Sequence, residues 1–317
     1  MELTDQIKPL ITLFLSSSIT LPIVNMLIEK NILAGVVVTP RVDADSVNLE
    51  QQLQQANIPV VRYDSLNIEQ TFLKVKAFGG NLGLVVTFSV KFPKEIIECF
   101  EYGMFNVHGS SLPAYRGSYP IFWPLKKQEQ ESAVVIHKIE EELDCGAIAV
   151  SYQFDIHPKD TFGTLSATIF QIVAVVINEF LELFELHNGE IPLTTQKGDV
   201  SKAPIPKQSD ITIDWSSMGA KEIAALARAC NPNFGGAQAL WKGAYIGVME
   251  ATPVDVPSYG VEPGMITHIG APEGLLVATK KGTLKIETVY MMDGIFSGQA
   301  FADRFSLDAG ERFKNTV

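Results

Sequence analysis

The chain is short of several things that would place it quickly. Only three cysteines, Cys99, Cys145 and Cys230, occur in 317 residues; they are widely separated and odd in number. Neither a disulfide framework nor a zinc cluster is indicated, and a reducing, cytoplasmic setting fits. The five histidines are scattered, so no metal-ligand set is expected. Basic charge is also scarce: 25 Lys and Arg stand against 36 Asp and Glu, a net of −11. That argues against a protein whose main task is gripping nucleic-acid phosphates, DNA included. No stretch reads as long and apolar enough to span a bilayer. The apolar run Pro9 to Ile23 is broken by Ser16-Ser17-Ser18 and follows acidic Glu2 and Asp5, so no signal peptide is expected. The turn after the first apolar run holds no glycine, which sets aside the G-x-G-x-x-G loop of dinucleotide-binding domains.

What is present is a regular alternation. Apolar runs at 11–15, 35–39, 59–63 and 83–88 read as strands, and residues 21–28, 47–56, 66–78 and 93–100 carry helical spacing between or after them. Strands alternating with helices predict an α/β fold with a doubly wound, mostly parallel sheet. Further on, 133–139 and 147–150 are strand-like. Residues 161–187 predict a long apolar helix stopped by Gly189. Residues 190–209, with Pro192, Pro204 and Pro206, read as a linker. Beyond it come a helix over 220–229 and short strand-like runs at 237–240, 245–249, 275–278 and 284–290, which predict a small β-barrel. The expected organisation is a catalytic domain at 1–189, a linker at 190–209 and a β-barrel-like, OB-like C-terminal domain at 210–317.

The stretch Phe105 to Gly117 concentrates the chemistry. Asn106 and His108 are two apart, so in an extended run they face one side, and the Gly, Ser and Pro that follow put them at a strand end. That is where open α/β sheets hold ligands. Asp144, in an acidic turn after the 133–139 strand, supplies a carboxylate to fix the imidazole or collect a proton. No Ser or Cys nucleophile stands in a recognisable motif with a base. What remains is direct group transfer with polar groups stabilising an oxyanion.

The run Asn106-Val-His108-Gly-Ser110-Ser-Leu112-Pro113-Ala-Tyr-Arg116-Gly117, with Leu143-Asp144-Cys-Gly146 downstream, resembles the signature of the 10-formyltetrahydrofolate-dependent formyltransferases. The resemblance continues into Ile213-Asp214-Trp215 and Arg228-Ala-Cys-Asn231-Pro232, which look like the start of the C-terminal barrel of the tRNA-directed branch. It implies a Rossmann-like core and formyl transfer from 10-formyltetrahydrofolate to an amine. Asn106 and a protonated His108 would stabilise the oxyanion, and Asp144 would hold His108 or a water and help to remove the amine proton. It further implies folate contacts along Phe88, Ser89, Val90 and Phe92 and along Ile136, His137 and Leu143, largely through backbone. Substrate contacts are implied at Ser110, Leu112, Pro113 and Arg116, with no metal. Taken as residues alone, Arg116 reads as a loop anchor, His137 as a residue on a solvated strand face, Glu140-Glu141-Glu142 as a solvated turn and Cys145 as unreactive.

The chain departs from the tRNA-directed pattern in one loop. Relatives of that kind carry an Arg-, Lys- and Gly-rich loop after the second strand, whereas Pro40 to Glu50 here is shorter and net acidic. From residue 205 onward ten basic residues face twelve acidic ones. A tRNA acceptor is weakened by this charge, and a nucleotide-linked amino sugar or another small amine stands as the alternative. Release of formate to water, or folate or RNA binding without catalysis, are the remaining readings.

Overall fold

The computed structural model describes residues 7–88 and 90–315, so Ser89 lies outside the described residues. Contacts divide the chain into two units that exchange segments. The first gathers residues up to 118 with 133–153 and 169–202, and the second gathers 119–132, 154–168 and the chain from 203 onward.

In the first unit the chain runs β1 (Ile11–Leu15), α1 (Leu21–Glu29), β2 (Leu33–Val38), α2 (Ala44–Gln55), β3 (Val60–Arg62), α3 (Ile68–Ala77), β4 (Leu82–Val86), α4 (Lys94–Ile97) and β5 (Met104–His108). After α5 (Phe122–Lys126), which belongs to the second unit, come β6 (Glu131–Lys138), β7 (Ile148–Asp155) and the long α6 (Phe162–Leu186), of which residues 131–132, 154–155 and 162–168 fall in the second unit. The strands form one sheet in the order β3-β2-β1-β4-β5-β6-β7. Pairing is parallel from β3 through β5, and β5 meets β6 antiparallel. Every residue of β1 and β4 is buried, as expected of parallel strands covered on both faces. Strand order reverses between β1 and β4, which makes the carboxyl edge there, next to the end of β5, the crevice such sheets use.

Helix starts and stops follow local chemistry. α2 begins at Ala44 because the Asp43 carboxylate accepts from Ser46 N–H and the Ser46 hydroxyl accepts from Asp43 N–H, a reciprocal cap. α4 is a single turn, shorter than its spacing predicts. α5 is absent from the sequence reading because Pro124 sits inside it. α6 corrects the expectation that no stretch is long and apolar enough to cross a bilayer: within its 25 residues an 18-residue stretch has a mean hydropathy of 1.7. Its apolar face is nevertheless core. Val173, Val176, Ile177, Phe180, Leu181 and Phe184 are buried at helical spacing, while Glu179, Glu182 and Glu185 are exposed.

The second unit carries α7 (Gln208–Ile211), α8 (Ala220–Cys230), β8 (Ala237–Trp241), β9 (Ala244–Val254), β10 (Ile266–His268), β11 (Leu275–Ala278), β12 (Thr283–Met291), β13 (Gly294–Ser297) and α9 (Gly298–Arg304). The strands make a curled antiparallel sheet, β10-β11-β12-β9-β8, with β13 on β12. β10 is three residues long and offered no pattern. β13 had a signal, Asp293-Gly294 at a tight hairpin, that the periodicity alone did not reveal. Trp215 stacks on Phe313 with ring centres 5.5 Å apart in the core of this unit.

Candidate active site

The site forms where β5 ends beside β6. Asn106 pairs with His137 and His108 with Val135 across the antiparallel ladder, so all four project to one face. Asp144 then arrives from the turn after β6 and closes the group. Its Oδ1 lies 3.5 Å from Asn106 Nδ2 and 3.4 Å from His137 Nε2, and its Oδ2 lies 3.7 Å from His108 Nδ1. The i, i+2 spacing of Asn106 and His108 thus does what the sequence predicts, and Asp144 joins them from about forty residues away. His137 corrects the solvated-face reading: only 1% of it is exposed, because the face it shares with Asn106 points into the site.

Hydrogen-bond partners fix the imidazole tautomers. A carbonyl oxygen can only accept, so His108 Nε2, 3.1 Å from Tyr115 O, carries hydrogen. His137 Nδ1 does the same towards Lys138 O at 2.9 Å. Burial pushes the pKa of His108 below its ordinary 6.5, with the nearby His137 adding to the fall and the Asp144 charge and the Tyr115 contact opposing it. The resting His108 is therefore neutral at pH 7, against the protonated form the resemblance implies. Its Nδ1 lone pair faces Asp144.

Asp144 itself stays ionised. Burial pushes its pKa up, but hydrogen bonding from His137, the fields of His108 and His137 when charged, and the Gly117 N–H together outweigh it and hold it below 3.8. Gly117 N donates to Oδ2 at 2.8 Å. The turn that presents Asp144 needs both ends of the D-x-G pattern. Asp144 sits at φ +53°, a left-handed conformation that Asp tolerates better than most residues, and a Cβ on Gly146 would lie 1.9 Å from Lys138 O.

The loop from 109 to 117 is built for shape. Ser110, expected to touch substrate, is fully buried and its hydroxyl donates to Ala114 O at 3.1 Å. Leu112 and Pro113 are buried as well, Leu112 against Ala133 and Val135, with a cis Leu112–Pro113 bond. Their side chains hold the loop. Of the four expected substrate contacts only Arg116 keeps open surface, and its Nε and one terminal nitrogen donate to Gln196 Oε1 at 3.2 and 2.7 Å. Gln196 is the residue that sequence reasoning missed. Its Nε2 donates to Asp144 O at 2.9 Å and Gly146 O at 2.8 Å, tying the Asp144 turn to Arg116. A lone Gln in a Pro- and Thr-rich segment gives no signal of that role.

Phe88 and Phe92 follow β4, whose end lies beside that of β5 in the parallel register Val85 to Asn106 and Val86 to Val107. Their rings stack at 5.4 Å, with Phe14 and Tyr63 edge-on to both. Val90 packs on the same cluster. Ile136 is fully buried and Leu143 is 54% exposed. Any ligand contact from Ile136 or His137 in this arrangement is therefore through backbone. Among the described residues no set of His, Cys, Asp and Glu is arranged as a metal site.

The formyl transferase family model matches residues 17–175, and the model for the C-terminal domain of formyl transferases matches 206–305. The chain belongs to the formyl transferase family. This formyl transferase is 30% identical to the methionyl-tRNA formyltransferase of Thermotoga neapolitana over 235 residues, 74% of the chain and 73% of that relative. HypX from Aquifex aeolicus, solved in complex with tetrahydrofolic acid, shares the fold with a TM-score of 0.60 at 17% identity over 95% of the chain. The formyl transferase spans about half, 48%, of that HypX chain. An N-formyltransferase from Helicobacter canadensis, solved with folinic acid and dTDP-3-aminofucose, has a TM-score of 0.60 at 16% identity, covering 87% of this formyl transferase and 98% of the neighbour. The chain is thus an enzyme of formyl-group transfer.

Proposed function

We propose that this formyl transferase moves the formyl group of 10-formyltetrahydrofolate to a primary amine, with Asn106, His108 and Asp144 as its catalytic residues. The observation that carries this is their convergence at the carboxyl end of β5: a carboxylate within 3.7 Å of a neutral imidazole nitrogen and 3.5 Å of an amide nitrogen, in a nearly dry site. The folate fits the chemistry of the surroundings. Half-buried Phe88, stacked on the core ring of Phe92, sets an apolar ring at the neighbouring strand end, against which a fused ring system can pack.

When bound, the folate supplies an activated formyl group on nitrogen. Asn106 donates an amide hydrogen to the formyl oxygen as the acceptor nitrogen bonds to the formyl carbon and negative charge builds there. His108 Nδ1 and the Asp144 carboxylate take the proton that the amine loses. The imidazolium formed beside Asp144 adds positive charge to the site and then returns the proton to the folate nitrogen as its bond to the formyl carbon breaks. The amine ends one hydrogen poorer and one formyl richer, and the folate nitrogen ends protonated.

Two acceptors have support. The match to a methionyl-tRNA formyltransferase over about three quarters of both chains favours methionyl-tRNA. The segment after β2 favours a small nucleotide-linked amine. Asp43 and Asp45 hold the start of α2, Arg41 pairs with Asp43 at 2.8 Å, and Asp45 accepts from Ser18 N–H and hydroxyl. The segment is folded back and acidic where a tRNA-gripping loop needs free cations. The test supplies 10-formyltetrahydrofolate with charged initiator tRNA, with nucleotide-linked amino sugars, or with buffer alone, and follows tetrahydrofolate release. Amine-dependent release is expected. Equal release in buffer means a hydrolase, and none in any arm means a binder.

A further inference from the structure

We infer that Ser201 is a positioning residue for His108, acting through the backbone of Tyr115, a role that rests on His108 carrying the proton in formyl transfer. The sign of it is a strained residue. Tyr115 sits at φ +62°, a left-handed conformation that a bulky side chain rarely adopts and that persists only where its surroundings impose it. Ser201, from the segment after α6, supplies that constraint. Its hydroxyl oxygen accepts from Tyr115 N–H at 2.9 Å, its carbonyl accepts from Arg116 N–H at 2.9 Å, and its own N–H donates to Pro113 O at 3.4 Å. Two successive N–H groups of the loop thus meet one residue on one side, the arrangement that a left-handed residue creates.

The carbonyls serve the site. Ala114 O and Tyr115 O both accept from the Ser110 hydroxyl, at 3.1 and 3.4 Å, and Tyr115 O also accepts from His108 Nε2 at 3.1 Å. In an extended chain consecutive carbonyls alternate in direction, so a Tyr115 relaxed to extended backbone would carry its oxygen away from the imidazole. Nε2 has no other hydrogen-bond partner among the described residues, and at 5% exposure the ring has little solvent to turn to. The Tyr115 contact therefore fixes the ring and keeps Nδ1 3.7 Å from Asp144 Oδ2. Ser201 grips the N–H groups of the loop so that its carbonyls can hold the imidazole.

The experiment compares S201A and S201T with the wild type in steady-state formyl transfer, alongside urea unfolding. Alanine removes the acceptor for Tyr115 N–H, and threonine keeps it. S201A is expected to lower kcat by about 10–10²-fold, the scale of a misplaced catalytic group, with KM for folate and acceptor unchanged. S201T should keep most of the wild-type rate. A purely structural role would leave the pH profile in place. The groups facing the His108 ring are Asp144, His137 and the Tyr115 carbonyl; burial lowers its pKa most, and the carbonyl contact is among those that oppose the fall. Without that contact the ring protonates at lower pH, so the acid limb of kcat should move to lower pH in S201A and stay in place in S201T. A third readout needs no turnover: the ¹⁵N shifts of the His108 ring should show hydrogen on Nε2 in the wild type and shared between both ring nitrogens in S201A. Ring shifts unchanged in S201A, an equal loss of rate in S201A and S201T, or a loss confined to KM would each overturn the inference. Altered ring shifts with an undiminished S201A rate would instead overturn the catalytic reading of His108. A wild type that turns over no acceptor would overturn the formyl-transfer reading, and the ring shifts would still decide what Ser201 holds.

Discussion

At the scale of single residues the site joins groups whose charge states depend on one another. Asn106→Ala is expected to lower kcat by roughly 10²–10³-fold, the usual effect of deleting one donor to a developing oxyanion, and His108→Ala by roughly 10²–10⁴-fold, that of deleting the group that carries the proton. Steady-state rates with saturating folate test this, and full activity in either variant would remove that residue from the mechanism. The same burial that keeps His108 neutral sets a pH dependence of stability. The unfolded chain binds a proton at this residue below 6.5 and the folded chain resists doing so, so the His108 contribution is complete above 6.5 and lost as pH falls below it. Asp144, held below 3.8, contributes fully above 3.8 and is lost further down. Urea midpoints measured near pH 7.5 and pH 5.5 should therefore fall for the wild type and fall less for His108→Gln. An equal fall in both would show that His108 is not the group responsible. Asn106, His108 and Asp144 were legible in the sequence because strand alternation and a spaced motif carry them. The buried side of His137 was not, because the register of an antiparallel partner strand is set by tertiary contacts. Gln196 was not, because its donors and acceptors reach backbone atoms that only the folded turn brings near.

Among the elements, the Asp144 turn and helix α6 hold β5 and its neighbours in place. Gly146→Ala would set a methyl group 1.9 Å from Lys138 O, a contact with backbone that no rotamer can relieve. A loss of about 1–3 kcal/mol in urea unfolding is expected, as for other overpacked sites. Gln196→Ala leaves that turn without its two side-chain donors and should cost about 0.5–1.5 kcal/mol per lost bond. On the other side Phe180 of α6 is fully buried with its ring 4.8 Å from that of Phe105, a neighbour of Asn106 in β5. Phe180→Ala should destabilise by about 3–5 kcal/mol. The parallel strands and α6 were readable because unbroken apolar runs and a 3.6-residue period leave little choice. Among the elements the sequence hid are the Pro124-containing α5, the three-residue β10, and β13 behind its Asp293-Gly294 hairpin, while α4 was expected but is only a single turn.

For the molecule as a whole, charge is the property that bears on the acceptor. A net of −11, with the 40–50 segment locked as the cap of α2, leaves few free cations to replace the counterions of a long polyanion. A protein that makes six to ten phosphate contacts loses about 10³–10⁵-fold in affinity between 50 and 200 mM salt, whereas a ligand with one or two phosphates is affected far less. The salt dependence of kcat/KM therefore reports how many phosphates the enzyme holds, whatever the absolute rate. With the acceptor that supports the fastest folate release, kcat/KM is expected to change by less than about tenfold across that range. A fall of about 10³-fold or more would show a polyanion grip, making methionyl-tRNA the acceptor. In that case the cations responsible would have to come from outside the acidic segment. Lys280, Lys281 and Lys285, at the turn between β11 and β12 and in the strand that follows, are the first to replace with Gln, and the triple variant should then flatten the salt dependence while leaving the formyl-transfer site intact.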